Sequence, residues 1–311
     1  MIPTVKKLAY LFLALSLVAG LPACKSSRAI TSTTKEYPPF FKVGHRGTRG
    51  LMPENTIPAM KKGIEAGANT IEFDVHISKD GEVVVYHDAS FNPDYTLLPN
   101  GDTIPKAERK KYTFYQMNYA DIKPFIIGTK DYPQFPQQQR LASYAPLLSE
   151  LIDSVEAYTK SNNLSPVYYL LEIKSSEKTD GFEQPDPQTY IKILMAVLKS
   201  KNLGKRLIIQ SFDMRPLQVL HREYPGIALG FLTGDKKTSF EENLQALGFV
   251  PVFYNPEYHM VTAELVKKCH DKGIRIEPWT VETVDEMKHL KSLGVDGIIT
   301  DYPNLFEQLQ K

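Results

Sequence analysis

FKVGHRGTRGLMPENTIPAMKKGIEAGANTIEFDV, residues 41–75, sets two short β-rich runs on either side of a segment with helical spacing. FKVGH and NTIEFDV read as strands, and IPAMKKGIEAG between them reads as a helix stopped by glycine. A strand, a helix and a second strand in close succession make a βαβ unit, whose two strands lie parallel. The first strand ends in His45, Arg46 and Gly47, which puts a proton-transfer group, a fixed positive charge and a backbone free to turn at one spot.

The same alternation continues outward from this unit. VYYLLEIK (167–174), RLIIQSF (206–212), IALGFL (227–232), FVPVFY (249–254), IRIEPWT (274–280) and DGIITD (296–301) complete a set of eight candidate strands. Segments with helical period, such as PQTYIKILMAVLKSKNLG, DMRPLQVLHREYP and TVDEMKHLKSLG, stand between them. Eight strand-helix units predict an α/β fold, a (β/α)8 TIM barrel. An open doubly wound sheet is the second choice, against which stands the lack of a glycine-rich phosphate fingerprint after the first strand. ISKDGEVVVYHD (77–88) reads as a hairpin. Residues 89–140, rich in Pro, Tyr, Gln and Asn, break the rhythm; their aromatic content predicts a small ordered insertion after the second strand.

The beginning of the chain has another character. Lys6 and Lys7 precede LAYLFLALSLVAGLPAC, which reads as a signal peptide over residues 1–24. LPAC resembles the lipobox of bacterial lipoproteins, with Pro22 where a small residue is usual, so Cys24 is expected to carry the lipid; cleavage near Ala23 without acylation is the alternative. Residues 25–39, polar and ending in two prolines, read as a tether to a domain over 40–311. The expected location is the cell envelope, lipid-anchored after export; Lys25 following Cys24 favours the outer membrane or the periplasmic face. Cys24 and Cys269 are the only cysteines, so no disulfide framework is available. With 37 basic against 36 acidic residues and no like-charge block, a nucleic-acid stripe is excluded. The expected partners are a small-molecule substrate and, through Cys24, a membrane; no protein partner is indicated.

Barrel active sites gather at the C-terminal ends of the strands. There the chain delivers His45 and Arg46, then Glu72 and Asp74, then His87 and Asp88 after the hairpin, then Glu172 and Lys174, with Gln210, Trp279 and Asp301 on later strands. Three buried carboxylates repel one another unless a cation lies between them, and hard oxygen donors suit Ca²⁺, Mg²⁺ or Mn²⁺. Glu72, Asp74 and Glu172 are the expected metal ligands; an ion-pair network with Arg46 and Lys174 is the alternative. Two histidines from separate strand ends, His45 and His87, suit an acid and a base on opposite sides of a phosphoryl group.

HRGTRGLMPENT, IEFDVHISKDGEVVVYHD, LLEIK, QSF, PWTVE and GVDGIITDYP, in this order from residue 41 onward, resemble the bacterial glycerophosphodiester phosphodiesterase family. The resemblance implies a TIM barrel with one divalent cation, often Ca²⁺ or Mg²⁺, that hydrolyses glycerophosphodiesters to glycerol 3-phosphate and an alcohol. By position it makes His45 and His87 the acid/base pair and Glu72, Asp74 and Glu172 the metal ligands. Arg46 and Lys174 match phosphate-contacting residues. Gln210 and Trp279 stand as candidate substrate contacts, with a place in the core an equal alternative for each. Glu54 is expected behind the site, Asn55 and Thr56 as helix caps, Asp301 as a cap, and Cys269 as a buried helix residue. His76 belongs to no cluster and is expected in the core or on the surface.

Two departures from the family pattern fall near the mouth of the site. Glu282 replaces the usual asparagine after WTV, and HDASFNPDYTL replaces the usual continuation after the HD pair. Both bear on substrate preference. The rival functions are a phospholipase-like phosphodiesterase acting on intact lipids, and a lipoprotein that binds a phosphorylated ligand without turnover.

Overall fold

The computed structural model describes residues 37–309 together with Met1 and Thr4. The expected acylation site at Cys24, the rest of the leader and most of the tether lie outside the described residues.

Eight parallel strands follow one another around the molecule: β1 (Phe41–Gly44), β2 (Thr70–Ile77), β6 (Tyr168–Ile173), β7 (Leu207–Ser211), β8 (Ala228–Thr233), β9 (Phe253–Pro256), β10 (Arg275–Ile276) and β11 (Gly297–Thr300). β11 pairs with β1, so the first and last strands are neighbours. Three backbone hydrogen bonds close the seam between β10 and β11: Asp296 N–H to the Ile276 carbonyl, Ile299 N–H to that of Pro278 and Val281 N–H to that of Ile299, each 3.0 Å. The fold is the (β/α)8 TIM barrel that the alternation predicts. The strand expected over FVPVFY is offset along the chain, running from Phe253 to Pro256, beyond Pro251, which has no N–H to give to a ladder.

Among the described residues, seven helices of eight or more residues join these strands: α1 (Ile57–Glu65), α3 (Leu148–Ser161), α4 (Pro187–Leu198), α5 (Met214–Glu223), α6 (Phe240–Leu247), α7 (Ala263–Asp271) and α8 (Val284–Leu293). Their starts obey capping chemistry: the Thr56, Asp186, Thr262 and Thr283 side chains each accept an N–H of the first turn, and Ser239 with Glu242 forms a capping box.

Side chains alternate along each strand, which divides the interior in two. Ile71, Phe73 and Val75 of β2, with Ile276 and Ile298, point outward and pack with Leu151, Leu194, Leu220 and Met287 of the helices. Phe41, packed edge-on to Phe253 at 5.3 Å and Tyr168 at 5.5 Å, contributes to a separate aromatic group. The polar residues Glu72, Asp74, Glu172 and Gln210 are buried near the C-terminal ends of their strands.

After β2 the chain turns back as β3 (Val83–Val85), antiparallel to it with Val75 opposite Val85. The segment beyond builds a second, smaller core. Phe91 stacks on Phe125 at 4.0 Å, and Tyr86, Tyr95 and Phe114 close around them. β4 (Thr96–Leu97), the short helix α2 (Tyr119–Ile122) and β5 (Ile126–Ile127) frame this cluster. Burial of several aromatic rings explains how a stretch without sustained periodicity holds one conformation.

Candidate active site

His45 follows β1 directly, its N–H bonded to the Thr300 carbonyl at 2.8 Å. Its Nδ1 lies 2.7 Å from Asp301 Oδ1 and its Nε2 lies 4.0 Å from Glu72 Oε2. Burial lowers the pKa of the ring to about 4, outweighing the pull of Asp301. At neutral pH the ring is therefore uncharged, with Nδ1–H donating to Asp301 and Nε2 able to accept a proton.

Arg46 sits in the left-handed region at φ 48°, and its N–H donates to Glu72 Oε2 at 2.8 Å. Its guanidinium donates to Glu54 Oε1 at 2.6 Å and approaches Asp74 Oδ2 at 3.6 Å. Gly47 continues the turn at φ 84°. A Cβ there would lie 2.6 Å from the Ala59 carbonyl carbon, so only glycine lets this loop press on α1.

The register between β2 and β6 sets Asp74 beside Glu172, with Glu72 two residues earlier on the same face. Glu72, Asp74 and Glu172 each offer an oxygen within 4.8 Å of the others. Lys174 Nζ lies 3.0 Å from Asp74 Oδ1 and 2.5 Å from Glu172 Oε1. Asn55, at φ 58°, donates to Asp74 Oδ2 at 2.7 Å and accepts the Asp74 N–H at 3.1 Å. Asn55 thus orients a carboxylate, and the cap of α1 is Thr56 alone.

Burial would raise the pKa of Asp74, but Lys174, His87, Arg46 and Asn55 outweigh it and hold it far down. Glu72 is pushed well up by burial and by the charges of Asp74 and Glu172. Glu172 is raised as well, chiefly by burial, with Lys174 pulling the other way. Four carboxylates, Glu54, Glu72, Asp74 and Glu172, thus meet two cations, Arg46 and Lys174. The ion-pair network that the sequence offered as the alternative exists, and if all four carboxylates are ionised it carries two more negative than positive charges. Glu72 Oε1 is buried without a hydrogen-bond partner among the described residues. The residues fit a hard divalent cation in charge and in donor type.

His87 follows β3, and its Nδ1 lies 2.7 Å from Asp88 Oδ1. Asp88 Oδ2 accepts from Asn92 at 2.9 Å and from Arg109 at 2.6 Å. Burial would raise Asp88, but His87, Arg109 and Asn92 bring it down to about 2. The His87 carbonyl accepts Nε2–H of His76 at 3.0 Å, so the buried His76, stacked on Phe114, braces the loop from below.

A cavity of about 250 Å³ opens over these groups. His45, Arg46, Glu72, His87, Glu172, Lys174 and Gln210 line it, and Phe212, Leu232, Trp279 and Ile299 give it an apolar side. Asp74 lies behind this lining, fully buried. Gln210 Oε1 accepts from Asn255 at 2.7 Å, which leaves its NH₂ group to serve the cavity. The Trp279 indole N–H donates to the Asn255 carbonyl at 2.8 Å, and the Phe212 ring stands edge-on to it at 5.3 Å.

Asp301, expected as a helix cap, instead carries the His45 contact. Its two oxygens also receive Arg49, with Nε at 3.1 and 3.0 Å and the terminal nitrogen at 2.7 Å. Arg49, Asn255 and Arg109 were not foreseen. Their partners in the site lie far along the chain, and no local spacing carries such a pairing. Cys269 is buried in α7, as expected.

Comparison with known proteins bears directly on this arrangement. Residues 45–305 match the model of the glycerophosphoryl diester phosphodiesterase family. A glycerophosphodiester phosphodiesterase of Bacillus subtilis (strain 168) is 29% identical over 88% of this chain and 87% of its own. One from Caldanaerobacter subterraneus is 30% identical over 84% of this chain and 93% of its own. Among solved structures, a putative glycerophosphoryl diester phosphodiesterase from Silicibacter pomeroyi superposes with a TM-score of 0.77 at 29% identity, covering 88% of this chain and 94% of that one. An Oleispira antarctica phosphodiesterase in complex with the product sn-glycerol-3-phosphate shares the fold at a TM-score of 0.67 and 22% identity, over 86% of this chain and 95% of that one. The family match covers every strand of the barrel from the end of β1 onward and all the cavity-lining residues, and on that ground this chain belongs to the glycerophosphoryl diester phosphodiesterase family.

Proposed function

We propose that this chain hydrolyses glycerophosphodiesters, such as glycerophosphocholine or glycerophosphoethanolamine, to glycerol 3-phosphate and an alcohol. The observation that carries the reading is the pairing of His45 and His87, each with Nδ1 on a carboxylate, in one cavity with Arg46 and Lys174. Arg46 and Lys174 bind the phosphate oxygens. One imidazole, entering the step neutral, takes the proton of the attacking hydroxyl on its Nε2, while the other, entering as the imidazolium with Nδ1–H on its carboxylate, gives its Nε2 proton to the oxygen that leaves with the alcohol. The attacking group is water or the neighbouring glycerol hydroxyl. Gln210 donates its amide to the substrate, and Trp279 packs against its carbons.

Glu72, Asp74 and Glu172 would hold a divalent cation, Ca²⁺ or Mg²⁺; when bound it supplies positive charge to the phosphate oxygens. The names of the Bacillus and Caldanaerobacter relatives and the product held by the Oleispira protein support the choice of substrate. Export, acylation at Cys24 and a position in the cell envelope belong to the same proposal. A Cys24→Ser variant that no longer partitions with membranes is the expected result.

The test is release of glycerol 3-phosphate from glycerophosphocholine by the purified protein, with EDTA and then with Ca²⁺ or Mg²⁺ restored. Cation-dependent release is expected. A folded protein that releases nothing with either cation overturns the reading.

A further inference from the structure

The two histidines of the cavity are held in the same way by different parts of the chain. Beside His45, Asp301 accepts Nδ1 at 2.7 Å and the guanidinium of Arg49 at 2.7 Å. Beside His87, Asp88 accepts Nδ1 at 2.7 Å and the guanidinium of Arg109 at 2.6 Å. Arg49 and Asp301 belong to the barrel. Arg109 comes from a 3-10 turn, Lys106–Tyr112, inside the insertion.

The second arrangement needs its arginine more than the first. The Asp301 side chain is 2% exposed and has nowhere else to go, whereas that of Asp88 is 19% exposed and could turn into water. A contact between adjacent residues also leaves both side chains free to rotate apart, at a gain in rotamer entropy. Arg109 and Asn92 restrict that freedom together, at 2.6 and 2.9 Å from Asp88 Oδ2, and of the two it is Arg109 that brings the charge and is itself tied down, its Nε on Ser90 Oγ at 3.1 Å. Asp88 then keeps Oδ1 on the imidazole, which places the proton of the neutral ring on Nδ1 and leaves Nε2 for the cavity.

We propose that Arg109 is a positioning residue for His87, so that the insertion is a working part of the reaction centre. The proposal rests on the hydrolytic reading above and adds a residue to it.

The experiment compares wild type, Arg109→Ala, Arg109→Lys and Asp88→Asn in the whole protein. Arg109→Ala should lower kcat about 10- to 100-fold with KM nearly unchanged, the usual effect of losing an outer partner of a reacting group. Arg109→Lys should recover most of the loss, and Arg109→Ala should add little to Asp88→Asn. A residue that merely latched the insertion would lower thermal stability and leave kcat alone. A folded Arg109→Ala variant with kcat within about twofold of wild type overturns the proposal.

A second readout separates this failure from failure of the hydrolytic reading. Nitrogen NMR of the His87 ring reports its tautomer without any turnover. The neutral ring should be protonated on Nδ1 in wild type and mixed in Arg109→Ala; an unchanged tautomer overturns the proposal even if no substrate is ever cleaved.

Discussion

Asp74 and Glu172 stand side by side in register on the neighbouring strands β2 and β6, and the ammonium of Lys174 touches both. Two carboxylates placed so, with Glu72 completing the group, create a demand for positive charge that one lysine and one arginine do not meet. A ligand that binds only the folded state raises stability by about 2.7 kcal/mol at a concentration 100 times its dissociation constant. Ca²⁺ or Mg²⁺ should therefore raise the melting temperature of the wild type. In Asp74→Asn and Glu172→Gln that rise should shrink or vanish, as thermal unfolding with and without EDTA would reveal.

Neither histidine is among the three residues whose carboxylates are offered to the cation, although His45 Nε2 lies 4.0 Å from Glu72. His45→Ala and His87→Ala should each lower turnover by about 10²- to 10⁴-fold, the range typical of a lost acid or base. The melting shift given by the cation should stay close to that of the wild type. Two variants with full activity would refute the acid/base assignment.

Glu282, beside Asp301, is pushed up to about 8, mainly by burial and then by the charge of Asp301. Its folded pKa lies above the ordinary 4.5, so the folded state binds more protons than the unfolded state between these values. The stability it gives is complete below pH 4.5 and is lost as pH rises through 8. This one group slopes stability downward by at most about 1.4 kcal/mol per pH unit in that window. Glu282→Gln should flatten the fall in melting temperature there; a profile unchanged from wild type would show that the group titrates normally.

Gly47→Ala tests the turn that carries His45 and Arg46. The new methyl would meet the Ala59 backbone at 2.6 Å in a left-handed conformation, so the loop or α1 has to move. A stability loss of about 1–3 kcal/mol is expected from strain of this kind. Activity should fall further than stability at temperatures where the variant is still folded, because both side chains next to the turn line the cavity. Denaturant unfolding and an activity assay on the same sample would separate the two effects.

The barrel was legible because each strand and each helix announces its own period, and because the eight units repeat. Glu72, Asp74, Glu172 and Lys174 were legible for a related reason, since a strand end points its alternate residues to one face, while His45, Arg46 and His87 were legible because they follow directly on a β-rich run. What escaped is everything that pairs across the fold. Asp301 was read as a cap because its neighbours suggest a turn, while its partner His45 stands beside it in space but 256 positions away along the chain. Asn55 was read as a cap because asparagine favours that place, but its side chain is spent on Asp74. Arg109 lies in a run of charges, Lys106 to Lys111, that reads as a solvated surface, and one member of that run turns inward.

The contact between His45 and Asp301 joins the start of the barrel to its last strand, 256 positions apart. A chain emerging from the ribosome holds His45 almost from the beginning, yet has nothing to orient it until β11 has been made and laid against β1. A stalled or clipped chain that ends before Asp301 keeps both histidines and all three carboxylates, and still lacks one half of its proton-transfer pair in working order. The pairing of β11 with β1 is thus what brings the carboxylate to His45.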